Sequence, residues 1–166
     1  MNSEILRDAL NCLKEVTPLK TDCGLFCEAA CCKDNGEAGS CVWLLPGEDA
    51  DQVSTWAEVS ESTMPVTGAK TQAIYCFKPC NRDARPFLCR IFPLTPYYSQ
   101  KNQCWSVRMD KRAAALCPLY FYGKSGLRRD FVVKAQEAVQ ILAQDVDGLA
   151  ALKLLEIEES AYRIEL

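Results

Sequence analysis

The chain has no histidine. Any metal site in it must therefore be built from thiolates, helped at most by carboxylates. It also lacks a C-x-x-C pair, the usual mark of a zinc ribbon. Glycine-rich phosphate loops, a P-loop and a G-x-S-x-G elbow are missing too, which removes the common nucleotide and serine-hydrolase chemistries. No apolar run approaches the roughly 20 residues that cross a bilayer. The opening stretch MNSEILRDALNCLKEV has neither the basic start nor the continuous apolar segment of a secretory signal. There is no internal repeat and no low-complexity tract. A net charge of −3 gives no general attraction to nucleic acid or to an acidic membrane surface. These absences predict a cytoplasmic protein with neither nucleic acid nor membrane as partner, in a compartment where stable disulfides are disfavoured.

What is present is cysteine. Eleven occur in 166 residues, and an odd number cannot be fully paired within one chain. A chain of this length is predicted to be a single domain, 1–166, and it needs no metal merely to have a core. Three zones organise it. Residues 1–18 are expected to form an amphipathic helix, because Ile5, Leu6, Ala9, Leu10, Leu13 and Val16 recur at helical spacing. Residues 19–120 hold ten of the cysteines, all three tryptophans and seven of the eight prolines. This middle is expected to be irregular, with short strands at Cys41–Leu45, Gln72–Phe77 and Cys104–Met109. Pro46–Lys70 reads as a polar surface excursion carrying a short helix around Asp51–Val59.

Residues 125–166 have neither cysteine nor proline and are expected to form two helices. Leu127, Phe131, Ala135, Ala138 and Leu142 make one apolar stripe, while Leu149, Leu152, Leu155 and Tyr162 make the next, with Asp147 as a candidate cap between them. Lys124, Arg128 and Arg129 read as a solvated helix start. The predicted class is α+β, mostly α, with a helical shell around an irregular cysteine-rich middle.

Cys23, Cys27 and Cys31 are four apart, and Cys76 and Cys80 repeat that spacing. On a helix capped by Thr21 or Asp22, such thiols would share one face; in a loop they would still be close enough for one ligand sphere. Soft thiolate donors, with Asp22, Glu28 or Asp34 as carboxylate helpers, select zinc or an iron–sulfur cluster over magnesium or calcium. Cys117–Pro118 is similar to the end of some ferredoxin motifs. Cys12 is expected to be a packed side chain of the first helix, and Cys104, beside Trp105, a structural residue. Cys76 divides evenly between ligand and core. In CNRDARPFLCRIFPLTP, Arg85 and Arg90 stand beside Cys80 and Cys89, where cations favour thiolate and offset the negative charge of a cofactor bound by thiolates.

Taken together, the two stretches resemble the zinc- or iron-chelating domain family of YkgJ type, also called the CxxCxxCC family. Cys23, Cys27, Cys31 and Cys32 stand for its opening cluster, spaced CxxxCxxxCC here, and Cys41-Val42-Trp43-Leu44 for the next element. Cys80 precedes the box Arg85-Pro86-Phe87-Leu88-Cys89-Arg90-Ile91-Phe92-Pro93, and Cys117 matches a later cysteine. The resemblance spans roughly residues 21–120. It implies metal ligation by Cys23, Cys27, Cys31, Cys32, Cys41, Cys80, Cys89 and Cys117, with Arg85 and Arg90 as cofactor-facing cations. The region is also similar to the cysteine-rich part of flagellin lysine-N-methylases.

The leading expectation is a metal-binding protein holding zinc or an iron–sulfur cluster, with room for a protein partner. The alternatives are a redox or methyl-transfer enzyme component and a thiol redox sensor built on Cys31–Cys32 or on Cys80 and Cys89. No paired acid–base constellation stands out, and nothing specifies an oligomeric state. The cysteine spacing and the chain length do not suit radical-SAM chemistry.

Overall fold

A computed structural model describes residues 1–21, 23–32, 41–77, 80 and 82–162. About 49% of these lie in helices or helical turns and 19% in strands, an α+β arrangement in which helix is the larger share. Helix α1, Ser3–Cys12, begins where the Asn2 side chain accepts a hydrogen bond from the Glu4 N–H. It ends earlier than the periodicity suggests, with Leu13 as its C-cap. Pro18 has no N–H to continue a helix, and it biases Thr17 away from helical geometry. Leu13 and Val16 remain buried nonetheless, so the apolar pattern outlasts the helix that it suggested.

Two antiparallel sheets fill the middle of the chain. Strands β1 (Val42–Trp43), β2 (Ala57–Thr63) and β3 (Lys70–Cys76) form one, in the order β1-β3-β2. Strands β4 (Leu94–Ser99) and β5 (Cys104–Met109) form a hairpin, with Leu94 opposite Met109 and Ser99 opposite Cys104. The excursion expected over Pro46–Lys70 contributes one full strand, β2, to the first sheet. Only Ala50–Val53 is helical there, as α3, and β2 pairs with β3 along its full length. Its polar sequence, AEVSEST, is tolerated because Glu58, Glu61 and Thr63 stay exposed. Between α3 and β2, Trp56 turns inward and joins Leu44, Val53, Ala57 and Ile74 in a small core.

The second, larger core lies under the C-terminal helices. Helix α5, Arg129–Leu142, buries Phe131, Ala135, Ala138 and Leu142 completely. It packs against α1 and against β5, while helix α6, Val146–Ala161, lies on β4. The cap of α6 is Asp145, whose carboxylate accepts from the Asp147 and Gly148 N–H groups. Asp147, the expected cap, lies one position inside the helix and pairs with the Met1 ammonium at 2.7 Å. Arg128 flanks the start of α5 and pairs with Asp130, and the nine residues Pro118–Gly126 before it form tight 3-10 turns. Leu152 and Leu155 of the second stripe are buried, whereas Tyr162 is exposed. Among the described residues no helix is long and apolar enough to cross a membrane.

Candidate metal centre

Between the small sheet and the larger core lies a cavity of about 780 Å³. Its wall contains nine of the eleven cysteines. All eight positions expected to be ligands are there: Cys23, Cys27, Cys31 and Cys32 from the first cluster, Cys80 and Cys89 from the arginine box, and Cys41 and Cys117. Cys76 joins them. The two left out are Cys12 and Cys104, the pair read as structural. None of the cysteines is joined in a disulfide.

The first cluster does not form the continuous helix face suggested by its four-residue spacing. Helix α2 covers only Gly24–Cys27. Glu28 and Ala29 then take φ of 51° and 55°, in the left-handed region that terminates helices. The Ala29 N–H closes back on the Gly24 carbonyl at 2.9 Å, and Ala30–Cys32 follows as a 3-10 turn. Cys23 and Cys27 therefore stay together, with the Cys27 thiol donating to the Cys23 carbonyl at 3.6 Å. Cys31 and Cys32 are redirected. Cys31 is exposed, with its sulfur 3.8 Å from that of Cys32, and Cys32 is half-buried and hydrogen-bonded to Cys80. Asp22 and Asp34, named as possible caps or helpers, lie outside the described residues.

The arginine box is held by a buried acid. Helix α4, Phe87–Ile91, starts directly after Pro86, a residue whose fixed φ suits a helix entry. The Phe87 N–H donates to one oxygen of Glu48 at 2.6 Å, and the Leu45 N–H to the other at 2.7 Å. Burial outweighs these two donors and Arg90, and raises the Glu48 carboxyl to about 7. Cys89 is the third residue of α4. Its thiol is pushed well up by burial and by the nearby Cys76, Cys32, Glu48 and Cys80.

The cations play different parts. Arg85 donates from Nε to the Cys80 sulfur at 3.1 Å. Arg90 donates instead to the Arg85 and Asp83 carbonyls, at 2.8 and 2.7 Å, tying α4 to the turn before it. Arg82 reaches the Val16 carbonyl. Arg112, which nothing in the sequence singled out, pairs with Asp110 and lies 5.5 Å over the Trp43 ring. Glu48 and Trp56 were also missed. The Trp56 indole N–H is buried without a hydrogen-bond partner among the described residues, although its ring borders the cavity. The sequence divides Cys76 evenly between ligand and core, on its four-residue spacing from Cys80 and its place in a strand.

Thiols crowded in this way hold on to their protons, because each thiolate disfavours the next. Cys80 is raised first by its hydrogen bond with Cys32 and then by burial, with Arg85 opposing. Cys32 is raised first by its contact with Cys31, against the pull of Cys80, and Cys117 by burial. A bound cation reverses the sign of that interaction and releases the protons. Among the described residues no three side chains of ligand type already surround a single point; the sulfurs line a chamber. No family model, no curated protein and no solved structure matches this chain.

Proposed function

We propose that the protein binds a metal through cysteine thiolates, as zinc or as an iron–sulfur cluster, in the manner of the YkgJ-type family that its two cysteine stretches resemble. The observation that carries this reading is the shared cavity wall: nine cysteines from separate parts of the chain face one space, while the two with no such role face elsewhere. Thiolates select soft metals. Arg85, hydrogen-bonded to Cys80, supplies positive charge where an all-thiolate centre is most negative. Cys23, Cys27, Cys31, Cys32, Cys41, Cys80, Cys89 and Cys117 are the proposed donors. Cysteines in this number without a disulfide suit a reducing compartment such as the cytoplasm.

The test is anaerobic purification followed by metal and acid-labile sulfide analysis with a visible spectrum. Stoichiometric zinc in a colourless protein supports a zinc centre; iron with labile sulfide and broad visible absorption supports a cluster. A folded, fully reduced and metal-free chain overturns both. It would instead favour the redox-sensor reading, for which the 3.8 Å separation of the Cys31 and Cys32 sulfurs is the supporting contact.

A further inference from the structure

A chamber of about 780 Å³ walled by nine sulfurs is more than one ion requires. It is within the range of about 300–1,000 Å³ typical of small-molecule sites, and a tetrahedral zinc uses four ligands. The thiols are not spread evenly around it. Cys32 and Cys80 are in direct hydrogen-bond contact. Cys76 and Cys80 both pack against the small core of Leu44, Val53, Trp56, Ala57 and Ile74. Cys89 has Cys76, Cys32 and Cys80 as its neighbouring thiols, and the Arg85 guanidinium faces Cys80, Cys32 and Cys89. Three of these sulfurs, Cys32, Cys80 and Cys89, act on the one guanidinium, and Cys76 joins them through Cys89.

The remaining group is anchored elsewhere. Cys117 belongs to the larger core, and the thiol acting on it is Cys27. Cys27 in turn lies one helical turn from Cys23 and touches its carbonyl. The residues beside this group on α2, Leu25 and Phe26, are strongly exposed. Cys41 has Tyr75 and Arg112 as neighbours.

Resting on the thiolate-metal reading above, we propose that the cavity holds two metal sites: a closed one of Cys32, Cys76, Cys80 and Cys89, and an open one of Cys23, Cys27 and Cys117. On this proposal the ligand shells close by side-chain rotation on binding, since among the described residues no three ligands already surround one point. Four thiolates on a divalent zinc leave two negative charges, of which the Arg85 guanidinium offsets one. Three thiolates leave a coordination position free, as in zinc sites that exchange ligands. The first site is therefore the structural one. The second is the exchangeable one, able to take an added thiol or other soft donor through the exposed α2 side. This assignment makes Cys76, outside the family pattern, a ligand, and it leaves Cys31 and Cys41 on the cavity wall outside both shells.

The experiment is timed zinc release from the zinc-loaded full chain to the chromogenic chelator 4-(2-pyridylazo)resorcinol. Two equivalents leaving in a fast and a slow phase are expected. Cys27→Ser should remove the fast equivalent and Cys76→Ser the slow one, and the equivalent that each variant keeps shows that it has folded. A single equivalent in the parent chain, both equivalents retained in Cys76→Ser, or both lost in each single variant would overturn the two-site division. A chain that binds no zinc and no iron fails the underlying reading instead.

Discussion

The Arg85 Nε donates to the Cys80 sulfur at 3.1 Å, five residues back along the chain. This contact makes the guanidinium the cation nearest the proposed closed site, and it supports a direct expectation. Partners of this kind commonly change metal affinity by about 10- to 100-fold. Arg85→Leu should weaken zinc binding by that order in a competition titration. Arg85→Lys, which keeps the charge but not the planar donor, should recover part of the loss. Equal affinity in all three chains would remove Arg85 from the centre.

The cysteines should separate cleanly on substitution. Cys89→Ser is expected to lower metal content and thermal stability together, since metal-binding free energy in such sites is folding free energy. Cys104→Ala should leave the metal content unchanged, because Cys104 does not border the cavity. Metal analysis alongside thermal unfolding of the two variants checks both halves. A metal-replete Cys89→Ser would show that Cys89 is not a donor.

How far these residues were readable from sequence varied with the physics behind each. The C-terminal helices were legible because Phe131, Ala135, Ala138 and Leu142 repeat at a spacing that only a helix can bury. Strand β5 was legible as a short strand-like run with the same bounds, Cys104–Met109. Strand β4 was not: Pro96 lies inside it, opposite Val107, and a proline argues against a strand until an edge position is known. Strand β2 was hidden because its polar residues take their place from pairing with β3. The reversal at Glu28 and Ala29 had no signal at all, since neither is a residue that favours positive φ. It is this reversal that breaks the four-residue cysteine spacing and aims Cys32 at Cys80.

Glu48 sets a pH dependence. Its carboxyl is raised in the folded chain from an ordinary 4.5 to about 7, chiefly by burial, against the Phe87 and Leu45 N–H donors and Arg90. The folded state therefore holds the proton more tightly than the unfolded state. The associated stability is complete below about pH 4.5 and is lost as pH rises through about 7, by at most ~3 kcal/mol. Glu48→Gln cannot titrate. Denaturant unfolding from pH 4.5 to 8 should show the parent chain losing that much stability relative to the variant. Parallel curves would contradict the raised carboxyl.

Glu158 fastens the loop after β2 to α6. One of its oxygens accepts from the Thr67 N–H at 2.7 Å and the Thr67 hydroxyl at 2.8 Å, and the Val66 N–H lies 3.1 Å away. Glu158→Ala removes all three acceptor contacts and should destabilise the chain by about 2–3 kcal/mol, with faster amide exchange at Val66 and Thr67. Exchange rates unchanged at those two residues would show the loop to be held by other contacts.

The cysteine wall also has a chronology. Its donors run from Cys23 to Cys117, so the wall is incomplete until most of the chain has been synthesised and the intervening loops have closed. Loop closure costs entropy before the contacts can repay it, and such long-range arrangements form late. Until then, thiols destined for the same chamber are exposed separately on a growing chain, each open to oxidation on its own. On the proposed reading, complete loading waits until Cys117 has been made and docked, and in the interval before that the thiols of the first cluster are the most open to oxidation.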